Sequence, residues 1–312
     1  MNIALSKKYG MVIIIKIYDC FTFFNEFELL ELRLNLLNNV VDYFVLVESN
    51  KTFKNENKEY YFEKNQDKFK DYLDKIIHIK VNDMPDYDPD DEWRLEVYQR
   101  NCIMRGLNNT SPDDIVLISD VDEIPKPNIL ELLNKNKSDI IFASRNRVQH
   151  NIVQVIKFLP DSLFKSHGIK LLDRTPLALE QDLFYYFVNC RSKGKWSGTV
   201  ITKAKNLSTP QQLRHRRSKF PRIKNSGWHF SYLGGVNKIV LKLNSIITET
   251  NVDAYSGEYI NNCIANGLDI YGREGSEFEY EFIDIDEVEP AQMQDLVQKY
   301  SYLYFDYQKR ED

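Results

Sequence analysis

The 312-residue chain is poor in the residues that mark several functional classes. Its four cysteines, Cys20, Cys102, Cys190 and Cys263, form no CxxC pair and no tight spacing with histidine, which argues against a structural zinc site. Four reduced thiols in a cytoplasmic compartment are expected. There is no basic excess either: 41 Lys and Arg against 46 Asp and Glu give a net charge of −5. Nucleic-acid binders usually carry a surplus of positive charge, so that partner is not expected. Long apolar runs are missing. The N-terminal run MVIIIKIY is interrupted by Lys16 and falls far short of the roughly 20 residues of a membrane span. No small-residue cleavage site follows it, so it reads as a first strand rather than a signal peptide. A soluble, cytoplasmic protein is expected. Repeats and low-complexity linkers are also lacking, so one main domain over residues 11–235 is expected. A loose leader (1–10) before it and a helical extension (236–312) packed on it are expected.

What is present is ordinary globular composition, 43% hydrophobic and 28% charged, with enough length for a large α/β domain. Short apolar runs alternate with helix-period segments, the pattern of an α/β fold with a mostly parallel central sheet. Strands are expected at Val12–Tyr18, Tyr43–Val47, Ile76–Val81 and Ile115–Ile118, then at 140–144 and 152–158. Helices are expected at Glu26–Asn38, Glu92–Leu107, Val236–Glu249, Gly257–Asn266 and Pro290–Lys299. The segment NDMPDYDPDDE (82–92) reads as an acidic, solvated connection.

The fourth of these strands ends in ISDVDEIP (118–125). Asp120 and Asp122 are two residues apart, so on an extended chain they leave the same face, and Glu123 adds a third charge. Crowded carboxylates raise one another's pKa unless a cation lies between them. An all-oxygen set suits Mg²⁺ or Mn²⁺. The plainer alternative is that Asp122 and Glu123 open a helix and favour its positive end. Three further segments bear on the same chemistry. Glu92, Glu96 and Arg100 share a helix face, which makes Arg100 either part of a surface ion-pair ladder or a partner for nucleotide phosphates. In GWHFSYLGG (227–235), His229 is a candidate to complete a metal site begun by Asp122, with Trp228 beside it. Gly234 and Gly235 would let backbone N–H groups approach an anion. The basic run LRHRRSKFPRIK (213–224) is either a solvated loop or a mobile loop closing over a diphosphate. Tyr185, Tyr186 and Trp196 are core rings or sugar-stacking surfaces.

Taken in order, YDCFTFFNEFELLELRLNLLNNVVDYFVLVESN, DEWRLEVYQRNCIMRGL, DIVLISDVDEIP, YYFVNCRSKGKWSGTVI and GWHFSYLGG resemble glycosyltransferase family 17 over nearly the whole chain. The resemblance implies a GT-A type nucleotide-sugar-binding fold. It further implies a UDP-sugar donor, UDP-N-acetylglucosamine foremost, a glycan or other hydroxyl acceptor, and metal-dependent transfer with inversion. By position it places Asp120 and Asp122 in the family's DxD-like element, Asp122 on the metal and Asp120 toward the ribose. It sets Phe24, Asn25 and Glu26 near the nucleoside. For a general base the chain offers Asp182, Glu180 and Glu123. Two other readings stand beside this one. A haloacid-dehalogenase-like phosphatase also carries DxD after an apolar strand, and a catalytically silent carbohydrate-binding protein would use Trp196 and Tyr185.

Overall fold

The computed structural model of the protein describes residues 5–8, 11–134, 142–143, 171–245 and 255–310. The strand expected at 152–158 lies outside the described residues, as does most of that at 140–144. The chain opens with a short antiparallel pair, β1 (Leu5–Lys8) and β2 (Met11–Ile14), so part of the expected loose leader is paired. An alternating stretch follows: β3 (Ile17–Thr22), α1 (Phe27–Leu37), β4 (Tyr43–Ser49), α2 (Tyr61–Asn65), β5 (Ile76–Val81), α3 (Arg94–Asn101) and β6 (Ile115–Asp120). Next come β7 (Glu123–Pro125), α4 (Pro127–Asn134), β8 (Phe142–Ala143), β9 (Leu177–Tyr185) and β10 (Cys190–Lys203). The chain continues through α5 (Pro210–Arg216), β11 (Arg222–Ser231), α6 (Gly235–Ser245), α7 (Gly257–Asn266), β12 (Tyr280–Phe282) and α8 (Gln292–Lys299).

A single strand was expected at Val12–Tyr18, but the chain breaks between β2 and β3. There the Lys16 N–H donates to Asp114 Oδ1 (2.9 Å) and the Ile17 N–H to Asp42 Oδ2 (2.8 Å). Side-chain acceptors have taken backbone donors that a continuous ladder would need. The helix expected over Glu92–Leu107 is likewise shorter, ending at Asn101 and tightening into a 3₁₀ turn over Cys102–Gly106.

Strands β5, β4, β3 and β6 lie side by side and parallel. Buried on both faces, they explain the near-continuous apolar runs. Alternation sorts their side chains: Ile115 and Leu117 pack with Leu30, Leu34 and Leu37 of α1, while Val116 and Ile118 pack with Cys102, Ile103 and Leu213 on the other side. Each fully buried leucine contributes roughly 1.5–3 kcal/mol. Beyond β6 the sheet continues through β10, β9, β11 and β7, with β12 on β10 and β8 on β11. These joins are antiparallel apart from β9 with β11. Helix α8 packs against α1 through Met293 and Leu296, and α6 and α7 bury Ile239, Leu243, Ile260 and Ile264 against Tyr185 and Tyr186.

The order of the parallel strands fixes where a ligand can enter. The chain steps outward from β3 to β4 to β5, and β6 then returns to the opposite side of β3. Such a reversal opens a crevice at the carboxyl ends of the two strands. Thr22 and Asp120 stand opposite each other there, with Thr22 Oγ1 donating to Asp120 Oδ1 at 3.2 Å.

A fully buried arginine ties that crevice together. Arg33 lies on α1 among leucines, with Leu30 and Leu34 facing the sheet and Leu29 and Leu32 facing the C-terminal cluster. Its Nε and Nη2 donate to the two oxygens of Asp19 on β3, at 2.7 and 2.6 Å. Nη2 also donates to Ser119 Oγ (2.7 Å), and Nη1 points at the carbonyls of Asp120, Val121 and Glu123 at 3.1, 3.1 and 2.9 Å. Every donor of the guanidinium has an acceptor, and the Phe21 ring lies 4.5 Å from its Cζ.

Arg33→Met leaves Asp19 an uncompensated buried charge and takes the guanidinium from those three carbonyls, and is expected to cost roughly 3–5 kcal/mol in urea unfolding. The double variant Asp19→Leu/Arg33→Met removes the stranded charge and should recover only part of that loss, because the turn carbonyls still lack the guanidinium and only that of Glu123 keeps a side-chain donor among the described residues, Thr199 Oγ1 at 3.2 Å. A wild-type midpoint for either variant would contradict the role given to Arg33.

Candidate functional site

The acidic turn is built by three local choices. Strand β6 ends at Asp120, and the chain turns through Val121 and Asp122 under the grip of Arg33. It then re-enters the sheet as β7 against β11, where Glu123 pairs with His229 and the Phe230 N–H donates to the Asp122 carbonyl at 2.9 Å. The helix start considered for Asp122 and Glu123 does not occur at those residues; α4 begins later, at Pro127. The turn faces a cleft of ≈ 860 Å³, open to solvent, whose walls include Thr22, Phe24, Glu26, Thr52, Phe53, Lys58, Gln99 and Lys242. Glu96, Arg100, Asp120, Asp122, Glu123, Trp196 and His229 line it as well.

Each carboxylate of the turn is paired with a cation, and Arg214 serves two of them. Asp120 receives Arg100 Nη2 on Oδ1 at 3.0 Å and Arg214 Nη2 on Oδ2 at 2.6 Å. Arg100 is held in turn by Glu96 (2.7 Å) and Gln211. Burial alone would raise the Asp120 carboxyl, but Arg214 and Arg100 more than offset it and hold it well below the usual carboxylate range. Glu123, 1% exposed, accepts from both terminal nitrogens of Arg214 and from Trp196 Nε1 (2.8 Å). The Trp196 ring lies 5.0 Å from that of His229 and 5.4 Å from the Arg217 guanidinium. Asp122 faces Lys242 Nζ at 3.0 Å on Oδ2 and His229 Nε2 at 3.6 Å on Oδ1. Its carboxyl is also pushed down: burial opposes ionisation, and Lys242 followed by His229 overcome it. The Lys242 ammonium is held charged despite burial, by Asp122 first and Glu26 next.

Among the described residues no group of three or more His, Cys, Asp and Glu side chains is arranged to cage a metal ion. Asp120 has an arginine on each oxygen, so the donors that remain are Asp122 Oδ1 and His229 Nε2. Mg²⁺ and Mn²⁺ are commonly held by one or two protein groups, with phosphate oxygens and water completing the shell. The pair fits an ion of that kind. Among the described residues His229 Nδ1 is buried without a hydrogen-bond partner, so none of them fixes the tautomer that would leave Nε2 as a ligand.

Several expected site residues lie elsewhere. On β11 successive side chains face opposite ways, so while His229 reaches the cleft, Trp228 packs beside Leu29, Phe184 and Phe230 under Lys126. Asp182 is paired with Lys195 on β9 and β10, away from the cleft lining, and Glu180 and Asn25 are likewise outside that lining. Gly234 has φ +103° and Gly235 φ +78°, a backbone favouring glycine, but the Gly234 N–H is spent on the Tyr186 carbonyl at 3.1 Å. Tyr185 and Tyr186 are core. The basic run begins as helix α5, where Thr209 caps the N-terminus and Pro210 takes the first turn, so a mobile loop is not what these residues form. Sequence reasoning passed over Arg33, Lys242 and the individual role of Arg214. The available signals were an arginine inside a leucine-rich helix and the TPQQ helix start.

Asp120 titrates in the folded chain below the value of about 3.9 usual for an unfolded aspartate. It therefore favours the fold above that pH, and its contribution fades as pH falls through that value and toward the lower folded one. Arg214→Met removes the main stabilising charge, so stability should fall less between about pH 5.5 and about pH 3 than in the wild type. Urea midpoints at the two pH values check this, and equal losses would contradict the pairing.

Residues 8–144 match the model of Glycosyltransferase family 17. The human Beta-1,4-mannosyl-glycoprotein 4-beta-N-acetylglucosaminyltransferase is 33% identical over 107 residues, which cover 32% of this chain and 20% of the relative. The enzymes of the same name from Rattus norvegicus and Mus musculus are 33% and 32% identical over the same length and shares. The match thus spans about a fifth of these relatives' own length. Arg100 and the whole acidic turn fall inside residues 8–144, whereas Trp196, Arg214, His229 and Lys242 lie beyond them. Residues 8–144 are thus similar to glycosyltransferase family 17.

Proposed function

We infer that the chain is a glycosyltransferase that moves N-acetylglucosamine from UDP-N-acetylglucosamine to a hydroxyl of a glycan acceptor, with Mn²⁺ or Mg²⁺ and with inversion at the anomeric carbon. The observation that carries the reading is the acidic turn at the strand-order reversal, walled by Lys58, Arg100 and Lys242. A donor diphosphate needs clustered positive charge, and a nucleoside needs an apolar wall such as Phe24 and Phe53 offer. The names of the relatives point to N-acetylglucosamine as the sugar.

In this reading Asp122 and His229 would hold the divalent ion, which would supply positive charge against the departing diphosphate. Arg100 is held rigid by Asp120, Glu96 and Gln211, so its charge is preorganised at the cleft. Glu123 serves as a positioning residue: its oxygens take Arg214 and Trp196, which orients the indole against His229. That engagement makes Glu123 a poor proton acceptor, and Asp182 lies with Lys195 off the cleft lining. A phosphatase using Asp120 as nucleophile would have to free an oxygen from one of two arginines.

Incubation with UDP-, GDP- and CMP-sugars, with Mn²⁺ or chelator, tests the reading through nucleotide release. UDP-N-acetylglucosamine should be cleaved fastest and only with the ion, and the sugar should be released first as the β anomer, seen by proton NMR. Asp122→Asn should lower the rate roughly a hundredfold or more while the far-UV circular dichroism stays that of the wild type. Release of phosphate from simple phosphomonoesters, or indifference to every nucleotide sugar, would overturn it.

A further inference from the structure

Lys242 enters the cleft from α6 and sets its ammonium against the acidic turn. Its Nζ lies 3.0 Å from Asp122 Oδ2 and 3.9 Å from Glu26 Oε1, with the Tyr232 ring centroid at 5.2 Å. The opposite oxygen of Asp122 faces His229. One carboxylate is thus approached from two sides, by an ammonium on Oδ2 and by the imidazole that completes the candidate ion site on Oδ1. A hard ion such as Mg²⁺ binds carboxylate oxygen at about 2.0–2.1 Å. An ion on Asp122 would therefore share a single carboxylate with the ammonium, at a separation where like charges repel strongly.

We propose that Lys242 competes with the divalent ion for Asp122, so that this lysine sets how tightly the ion is held. The inference rests on the reading of Asp122 and His229 as ion ligands. The ammonium has somewhere to go. Glu26 Oε1 is the second carboxylate oxygen in its reach, while Glu26 Oε2 is already fixed by the N–H groups of Phe24 and Asn25. A swing from Asp122 toward Glu26 keeps the charge paired and stays within the freedom of a side chain that is 22% exposed. The lysine thereby links ion binding to the segment between β3 and α1, which lines the same cleft. A lysine with only a structural part would leave ion affinity unmoved, or lower it when removed.

The test is a Mn²⁺ titration of the full chain, with free ion followed by its electron paramagnetic resonance signal and folding of each variant checked by thermal melting. Lys242→Met should bind Mn²⁺ roughly tenfold or more tightly than the wild type, a shift read directly in Kd. Lys242→Arg, which keeps the charge, should stay close to the wild type, and Asp122→Ala should abolish saturable binding. If Asp122→Ala abolishes binding but Lys242→Met binds as the wild type or more weakly, the competition is refuted while the ion site stands. Tightening by Lys242→Arg equal to that of Lys242→Met would also refute it, since charge would not be the cause. If neither the wild type nor Lys242→Met binds Mn²⁺ saturably, the ion site itself fails and the competition falls with it.

Discussion

The contact on which the rest of the structure depends is that of Arg33 with Asp19 and the backbone of the acidic turn. A guanidinium has five N–H donors in a fixed plane, and here they join a central strand, the end of β6 and the turn beyond it. Because the carbonyls of Asp120, Val121 and Glu123 converge on Arg33, the course of the turn is set by a residue that never reaches the cleft. Leucines on both sides of α1 hold the arginine in place, so hydrophobic burial and a buried ion pair serve one end. Burying such a pair is rarely favourable in itself. Its value lies in the single conformation it imposes on a segment that would otherwise carry crowded charges on a free loop.

That fixed turn sets a cationic partner against each of its carboxylates. Asp120 goes to Arg100 and Arg214, Glu123 to Arg214 and Trp196, and Asp122 to Lys242 and His229. The carboxylates diverge in purpose as a result. Two are enclosed in arginine contacts and serve as scaffolding for positive charge at the cleft. Asp122 alone of the three faces groups that can yield, an imidazole and the ammonium of a flexible side chain. The two aspartates are thus unequally placed in this chain, and only the first has an arginine on each oxygen.

Much of the fold was legible in the sequence because it depends on local signals. β5 and α7 have the expected bounds, and α7 shows why: Ser256 caps its start and Gly267, at φ +62°, closes its end. The parallel strands were legible as apolar runs, and the acidic cluster was correctly read as the carboxyl end of one of them. What was not legible depended on distant partners. Arg33 looks like a solvent-facing residue until Asp19 and the turn are brought to it. Arg214 sat in a run of like charges whose members differ only in what they meet across the fold. Trp228 and His229 are neighbours in sequence, yet strand pleating sends them to opposite sides, and no composition argument distinguishes them. The break between β2 and β3 came from Asp42 and Asp114, side chains 25 and 98 residues from the donors they accept.

Amide hydrogen exchange with and without UDP-N-acetylglucosamine and Mn²⁺ tests the central claim most directly, that the Arg33-held turn forms the floor of a nucleotide-sugar site. The account expects slowed exchange in 118–125, in 22–26 and in the part of α6 around Lys242, with the far ends of the parallel strands unchanged. Protection confined to other surfaces, or none at saturating donor, would contradict it.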